Sequence, residues 1–213
     1  DFTRYQQGPY ATVMLSDLGA DVLKVEEPAR GDLGRSLGLQ PDGWCSYFEA
    51  HNRNKRSLTL DLSKSEAIEI VRKLAAEADV VMENFRPGVM DKLGIGYAAL
   101  SEINPRLIYC AISGYGQTGP SSQLPAYAPV IHAASGYDIA HLHYQEGRSR
   151  PDYCGVFIAD VLAGTYAFGA IGAAIAQRHA TGEGQLVDVS MLESMLALRS
   201  EERRVGKECS LLC

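Results

Sequence analysis

Short apolar runs rich in β-branched residues alternate with stretches of helical period, and this rhythm constrains the fold more than any other feature of the chain. Residues 20–25, 56–63 (RSLTLDLS), 79–85 (DVVMENF), 106–113 (RLIYCAIS) and 185–191 (QLVDVSM) read as strands. Between them the period changes. Val13, Met14 and Leu18 form an apolar helical stripe, closed by Gly19 as a left-handed cap. Ser63-x-x-Glu66 reads as a capping box ahead of a helix carrying Ile68, Val71, Leu74 and Ala75. Two short helices are expected over 86–94 and 97–105. A long helix rich in alanine and glycine is expected over 155–179, ended by Thr181-Gly-Glu-Gly184. Strands that alternate with helices in this way build βαβ units. The fold class is therefore α/β, a Rossmann-like open, mostly parallel sheet with helices on both faces. The pattern covers 1–199 as one domain. Residues 200–213 break it with a jump in charge and a cysteine-rich close, and read as a foreign tail, disordered or a frayed helix.

Composition narrows the function. With 46% hydrophobic residues, 22% charged residues and a net charge of −6, the 213-residue chain is globular and mildly acidic, which argues against a nucleic-acid partner. No apolar run is expected to reach spanning length and no charged-then-apolar leader opens the chain, so no membrane partner is expected and the location reads as cytoplasmic. Cys45, Cys110, Cys154, Cys209 and Cys213 are scattered without a CxxC pair, giving neither a disulfide framework nor a zinc site. His141 and His143 fall on one face of what reads as a strand, with no obvious acidic partner, so no metal site is assigned.

Gly114-x-Gly116-x-x-Gly119 has the spacing of a dinucleotide-binding fingerprint. That motif works only where its glycines open a helix, whose N-terminus then holds the pyrophosphate. Here Pro120, Pro125 and Pro129 follow too closely for a helix. The motif is instead a glycine loop at a strand end, where ligands bind in open α/β sheets. The stretch 114–154 reads as one long functional loop.

Several blocks occur in an order that carries a family resemblance: GPYATVMLSDLGADVLKVEEPARGD, NRNKRSLTLDLS, ADVVMENFRPGVMDKLG, INPRLIYCAISGYGQTGP and the stretch from Asp160 to GEGQLVDVSM. Together they resemble the large domain of a family III CoA-transferase, the group that includes the formyl-CoA and carnitine CoA-transferases. The resemblance implies an enzyme whose substrates are an acyl-CoA and a carboxylic acid, with coenzyme A passing through as substrate rather than bound permanently. It also implies a protein about twice this length, with a second, smaller domain and an interlocked homodimer. By resemblance the nucleophile is Asp160, whose carboxylate would attack the thioester and form a mixed anhydride. By residue type alone, an aspartate entering a helix is a cap. The resemblance places CoA against Gln6 and Gln7, Leu60, Asp61, Leu62 and Ser63, Asn84, Phe85 and Arg86, Lys92, and the loop at Ala126 and Tyr127. Two positions depart from the family pattern, Glu27 for an arginine and Pro125 for a lysine, so phosphate contacts are expected to shift to Arg35, Arg53 or Lys55. Related racemases pair the aspartate with a histidine. Tyr127 stands near that place here, and His132 comes five residues late. A racemase-like isomerase and a non-catalytic CoA-binding fragment are the alternatives.

Overall fold

The computed structural model describes residues 1–38, 43–152 and 155–198. Among these residues, two sets of strands pair, all in parallel. β1 (Leu23–Glu26) lies beside β2 (Arg56–Thr59), and β3 (Val80–Glu83), β4 (Ile108–Ser113) and β5 (Gln185–Ser190) follow in that order. Residues 1–4 join the two sets. The Asp1 nitrogen donates to the Leu23 carbonyl (3.0 Å) and the Val25 N–H to the Asp1 carbonyl (2.8 Å). On the other side the Phe2 N–H donates to the Met82 carbonyl (2.8 Å). Beyond the end of β3, the Asn84 side-chain amide continues this ladder. It accepts from the Arg4 N–H and donates to the Arg4 carbonyl, both at 2.9 Å. The result is one twisted surface with a stitch of extended chain at its centre.

The helices are α1 (Gln7–Asp17), α2 (Ser46–Asn52), α3 (Ser65–Glu77), α4 (Val89–Lys92), α5 (Tyr97–Ile103), α6 (Ala128–Ala134), α7 (Tyr137–Leu142), α8 (Ile158–Thr181) and α9 (Met191–Leu198). They cover both faces, and β4 shows why its whole length is apolar. Cys110 and Ile112 point into a core with Ala11 of α1, Ile131 of α6, Ala163 and Ile171 of α8 and Met195 of α9. Tyr109 and Ala111 point the other way, against Val71 and Ala75 of α3, Met90 of α4 and Leu100 of α5. A strand buried on both sides cannot alternate apolar with polar.

Four expectations are corrected. The Ser63–Glu66 capping box does not form: α3 begins at Ser65, while Asp61 takes the Ser63 N–H (3.0 Å) and hydroxyl (2.6 Å) in a local turn. The stretch 114–154 is not one loop, because α6 and α7 occupy its middle. His141 is accordingly on a helix, stacked on Tyr137 at 5.8 Å, and shares no strand face with His143. Finally, α8 is long and apolar enough in composition to cross a bilayer. One face of it, with Ala159, Ala163, Ala167, Ile171 and Ala174, is buried, and the helix packs chiefly against α1, with β4, β5 and α9 also in contact. Cys154, Cys209, Cys213 and the tail 200–213 lie outside the described residues.

Candidate active site

The N-termini of α1 and α8 meet at Asp160. The two helices approach so closely at Gly164 that a Cβ there would sit 2.5 Å from the Gln7 carbonyl oxygen. Asp160, in the first turn of α8, is partly buried. Its carboxylate accepts a hydrogen bond from its own backbone N–H and another from the Gln7 N–H at the start of α1. Two helix N-termini therefore favour its charge. Burial outweighs them, and its pKa is raised to about 6. No cation pairs with it among the described residues. Tyr47 stands near enough that the Asp160 charge adds to burial in pushing the Tyr47 phenol upward.

Asp160 forms one end of a cavity of about 540 Å³. Gln6, Gln7, Asn84, Phe85, Arg86, Ala126 and Tyr127 all line it, so eight of the residues anticipated from the sequence, Asp160 included, come together. Leu60, Asp61, Leu62 and Ser63 line a second, smaller cavity of about 220 Å³, together with Glu27. Arg4 and Phe85 belong to both cavities, and the Arg4 guanidinium lies over the Phe85 ring at 4.9 Å to form the partition between them. Lys92 is the exception. It is exposed on α4 and lines neither cavity, although its neighbour Leu93 borders the smaller one. The glycine loop approaches the larger cavity through Gly114, whose missing side chain leaves room for Ala126. Gly116 and Gly119 adopt left-handed turns (φ +86° and +91°), and no helix begins before Ala128.

The expected redistribution of phosphate contacts is not what the structure shows. The Arg35 guanidinium is held by Glu26 through two hydrogen bonds (2.7 and 2.8 Å) and lies over Phe48 at 3.7 Å. Arg53 is paired with Asp17. Lys55 is buried, donating to Asp1, Pro9 and Asn52, and burial, with Lys24 nearby, pushes its pKa down to about 6. All three cations serve the scaffold. Arg4 and Arg86 are the cations at the larger cavity, and among the described residues neither forms an ion pair. Arg4, Tyr47 and Ser113 were not legible as site residues. Arg4 reaches the cavity because Tyr5, left-handed at φ 65°, turns the chain there. The Asp32 carboxylate receives the Tyr5 N–H (3.1 Å) while the buried Lys24 ammonium, 2.8 Å from Asp32, donates to the Thr3 carbonyl (2.7 Å). Ser113 Oγ and the side-chain oxygens of Gln6 and Gln7 are buried at the cavity without a hydrogen-bond partner. Among the described residues these atoms are free to meet water or a polar ligand.

His132 is buried, and its Nε2 accepts the Ala159 N–H at 3.1 Å. The lone pair a base would use is thereby engaged.

The sequence matches the model of CoA-transferase family III over residues 1–203. The chain belongs to CoA-transferase family III. It is 42% identical over 201 residues to the human succinyl-CoA:glutarate CoA-transferase, covering 94% of this chain and 45% of that protein. It is 41% identical over 197 residues to the acetyl-CoA:oxalate CoA-transferase of Acetobacter aceti, covering 92% and 50%. A solved CAIB/BAIF family protein from Brucella suis superposes with a TM-score of 0.87 at 40% identity, over 96% of this chain and 54% of that one. The chain thus spans about half the length of the curated relatives it matches. For a family III member, the orphaned polar groups and the under-partnered Asp160 share one cavity.

Proposed function

We propose that the protein containing this segment transfers CoA from an acyl-CoA to a carboxylic acid, with Asp160 as the nucleophile. The observation that carries this reading is the Asp160 carboxylate itself: partly buried, at the larger cavity and, among the described residues, bonded to two backbone N–H groups and paired with no cation. Asp160 attacks the thioester carbonyl carbon, the C–S bond breaks, and CoA leaves as thiolate, giving an aspartyl mixed anhydride. The acceptor carboxylate then attacks the Asp160 acyl carbon and expels the first acid, forming a second anhydride. Thiolate attack on the new acyl group yields the product thioester and regenerates the carboxylate. The N-termini of α1 and α8 hold the charge at the start and end of this cycle, and the enclosing walls shelter the anhydride from water.

CoA would lie across the Arg4–Phe85 partition, with its phosphates drawn to Arg4 and Arg86. The acceptor would be a short dicarboxylic acid, by analogy with glutarate and oxalate in the relatives' names. The engaged lone pair of His132 removes the support for a racemase-like reading, which needs a histidine base. The test uses the full-length protein with succinyl-CoA and a panel of dicarboxylic acids. Hydroxylamine should trap an acyl hydroxamate, and Asp160→Asn should lower turnover on the order of 1,000-fold or more. Turnover that survives this substitution would overturn the assignment, and solvent deuterium entering the α carbon without an acceptor acid would favour an isomerase.

A further inference from the structure

We infer that His132 is a positioning residue that keeps Asp160 free to react, by taking the backbone N–H that the Asp160 carboxylate would otherwise cap. This rests on the reading of Asp160 as the nucleophile. The first N–H groups of a helix have no partner within it and must find acceptors. At α8 the residue before the helix, Phe157, offers no side-chain cap. The Val161 N–H bonds the Phe157 carbonyl (3.2 Å), and the Asp160 N–H bonds its own carboxylate. The buried Ala159 N–H is met from another element by His132 of α6.

An acceptor at Nε2 requires a neutral imidazole with its proton on Nδ1. The surroundings favour that form, because the ring is buried and packed against Tyr137, with ring centroids 5.4 Å apart. The Ser135 hydroxyl donates to the His132 carbonyl at 3.0 Å and fixes the end of α6. If the acceptor is removed, the Ala159 N–H is left unsatisfied in the same helical turn as the Asp160 carboxylate, which already bonds the neighbouring N–H. An aspartate in a first helical turn readily takes such a donor. The carboxylate would then turn into the helix end and become the ordinary cap that its residue type alone suggests. A further hydrogen bond to the ionised form also makes a carboxylate less basic and less nucleophilic. His132 thus separates the two roles an aspartate can take here.

The experiment compares His132→Leu, His132→Gln and Asp160→Asn in the full-length protein, reading kcat, KM for the acyl-CoA, the rate of hydroxamate formation and Tm. His132→Leu should lower kcat on the order of 10- to 100-fold while KM stays within about twofold, as expected for a misdirected nucleophile in an intact binding site. His132→Gln carries an amide oxygen at about the reach of Nε2 and should recover kcat to within about threefold of the parent. A parental kcat in His132→Leu overturns the inference. So does a folded His132→Gln that is as slow as His132→Leu. If His132→Leu does not fold, His132→Gln decides alone: near-parental kcat supports the role, and a tenth or less overturns it. Asp160→Asn separates the layers. If it retains turnover, the nucleophile assignment fails and this inference with it; if it is inactive, the His132 variants test His132 only.

Discussion

Glu26 and Asp160 are both withdrawn from water, yet the fold treats them in opposite ways. Burial opposes the charge of each. Around Glu26 that cost is met by two hydrogen bonds from Arg35, one from the Ser57 hydroxyl (2.7 Å) and one from the Asp32 N–H (2.8 Å), and its pKa is held down to about 2. Asp160 receives only two backbone N–H groups and rises to about 6. The same division runs through the polar groups around them. In the scaffold beside β1, Lys24, Asp32, Arg35 and Lys55 each have named partners. At the larger cavity, among the described residues, Gln6, Gln7 and Ser113 keep unmatched oxygens, and Arg4 and Arg86 have no carboxylate. A carboxylate saturated with donors is a structural anchor, while one left short of them retains the basicity needed to attack a thioester.

The sharpest way to break this contrast is Asp32→Ala. It strands the Lys24 ammonium in the core, and urea unfolding should register a loss of about 3–5 kcal/mol. Replacing the pair together, Lys24→Met with Asp32→Leu, should cost far less; equal losses would show that the pair's charge is not what matters. Glu26→Gln comes next, with a loss of about 1–3 kcal/mol at neutral pH, reduced because Arg35 is partly exposed. Its pH signature follows from the sign of the shift. The Glu26 pKa is depressed from 4.5 to about 2, so its contribution is present above pH 4.5 and disappears as pH falls through 2.

Asp160→Asn should act with the opposite sign. The pKa of this group is raised from 3.8 to about 6, so the folded state holds the proton more tightly and stability declines as pH rises through that window. The amide variant should be at least as stable as the parent at pH 7, by about 1 kcal/mol, and should lose that decline. A lower Tm for the variant at pH 7 would place Asp160 among the structural carboxylates. The smallest effect concerns the partition. Arg4→Gln should raise KM for the acyl-CoA by about 5-fold, consistent with losing one exposed charge contact of about 1 kcal/mol, with unfolding unchanged within about 0.5 kcal/mol. Arg35→Gln should do the reverse, lowering stability and leaving KM alone.

Some of the site could be read in the chain because its signals are local. The five strands, the long helix that carries Asp160 and the strand-end loop at Asn84–Arg86 follow from periodicity and from where ligands sit in parallel sheets, but the helix begins at Ile158 rather than 155. The family blocks run in the same order. Leu60 to Ser63 were expected with the others; the structure places them in a second cavity behind Arg4 and Phe85. Arg35, Arg53 and Lys55 were misread for a general reason: a basic residue in a loop looks the same whether it waits for a phosphate or already holds a carboxylate. Only the positions of Glu26, Asp17 and Asp1 decide between these. The helices α6 and α7 were missed because glycines and prolines punctuate 114–154; both are short, α6 packs on α8 and α9, and α7 buries no residue of its own.

Sequence alone determined the parallel α/β architecture, which rests on residue types at short, regular spacings, while the family and the candidate nucleophile came from the resemblance of ordered blocks. Tertiary structure alone decided which charges are spent on the scaffold and which remain for a ligand. It also placed the Gln7 N–H and the His132 imidazole against the start of α8. Those choices depend on contacts between groups 27 to 153 residues apart, and no local pattern encodes them.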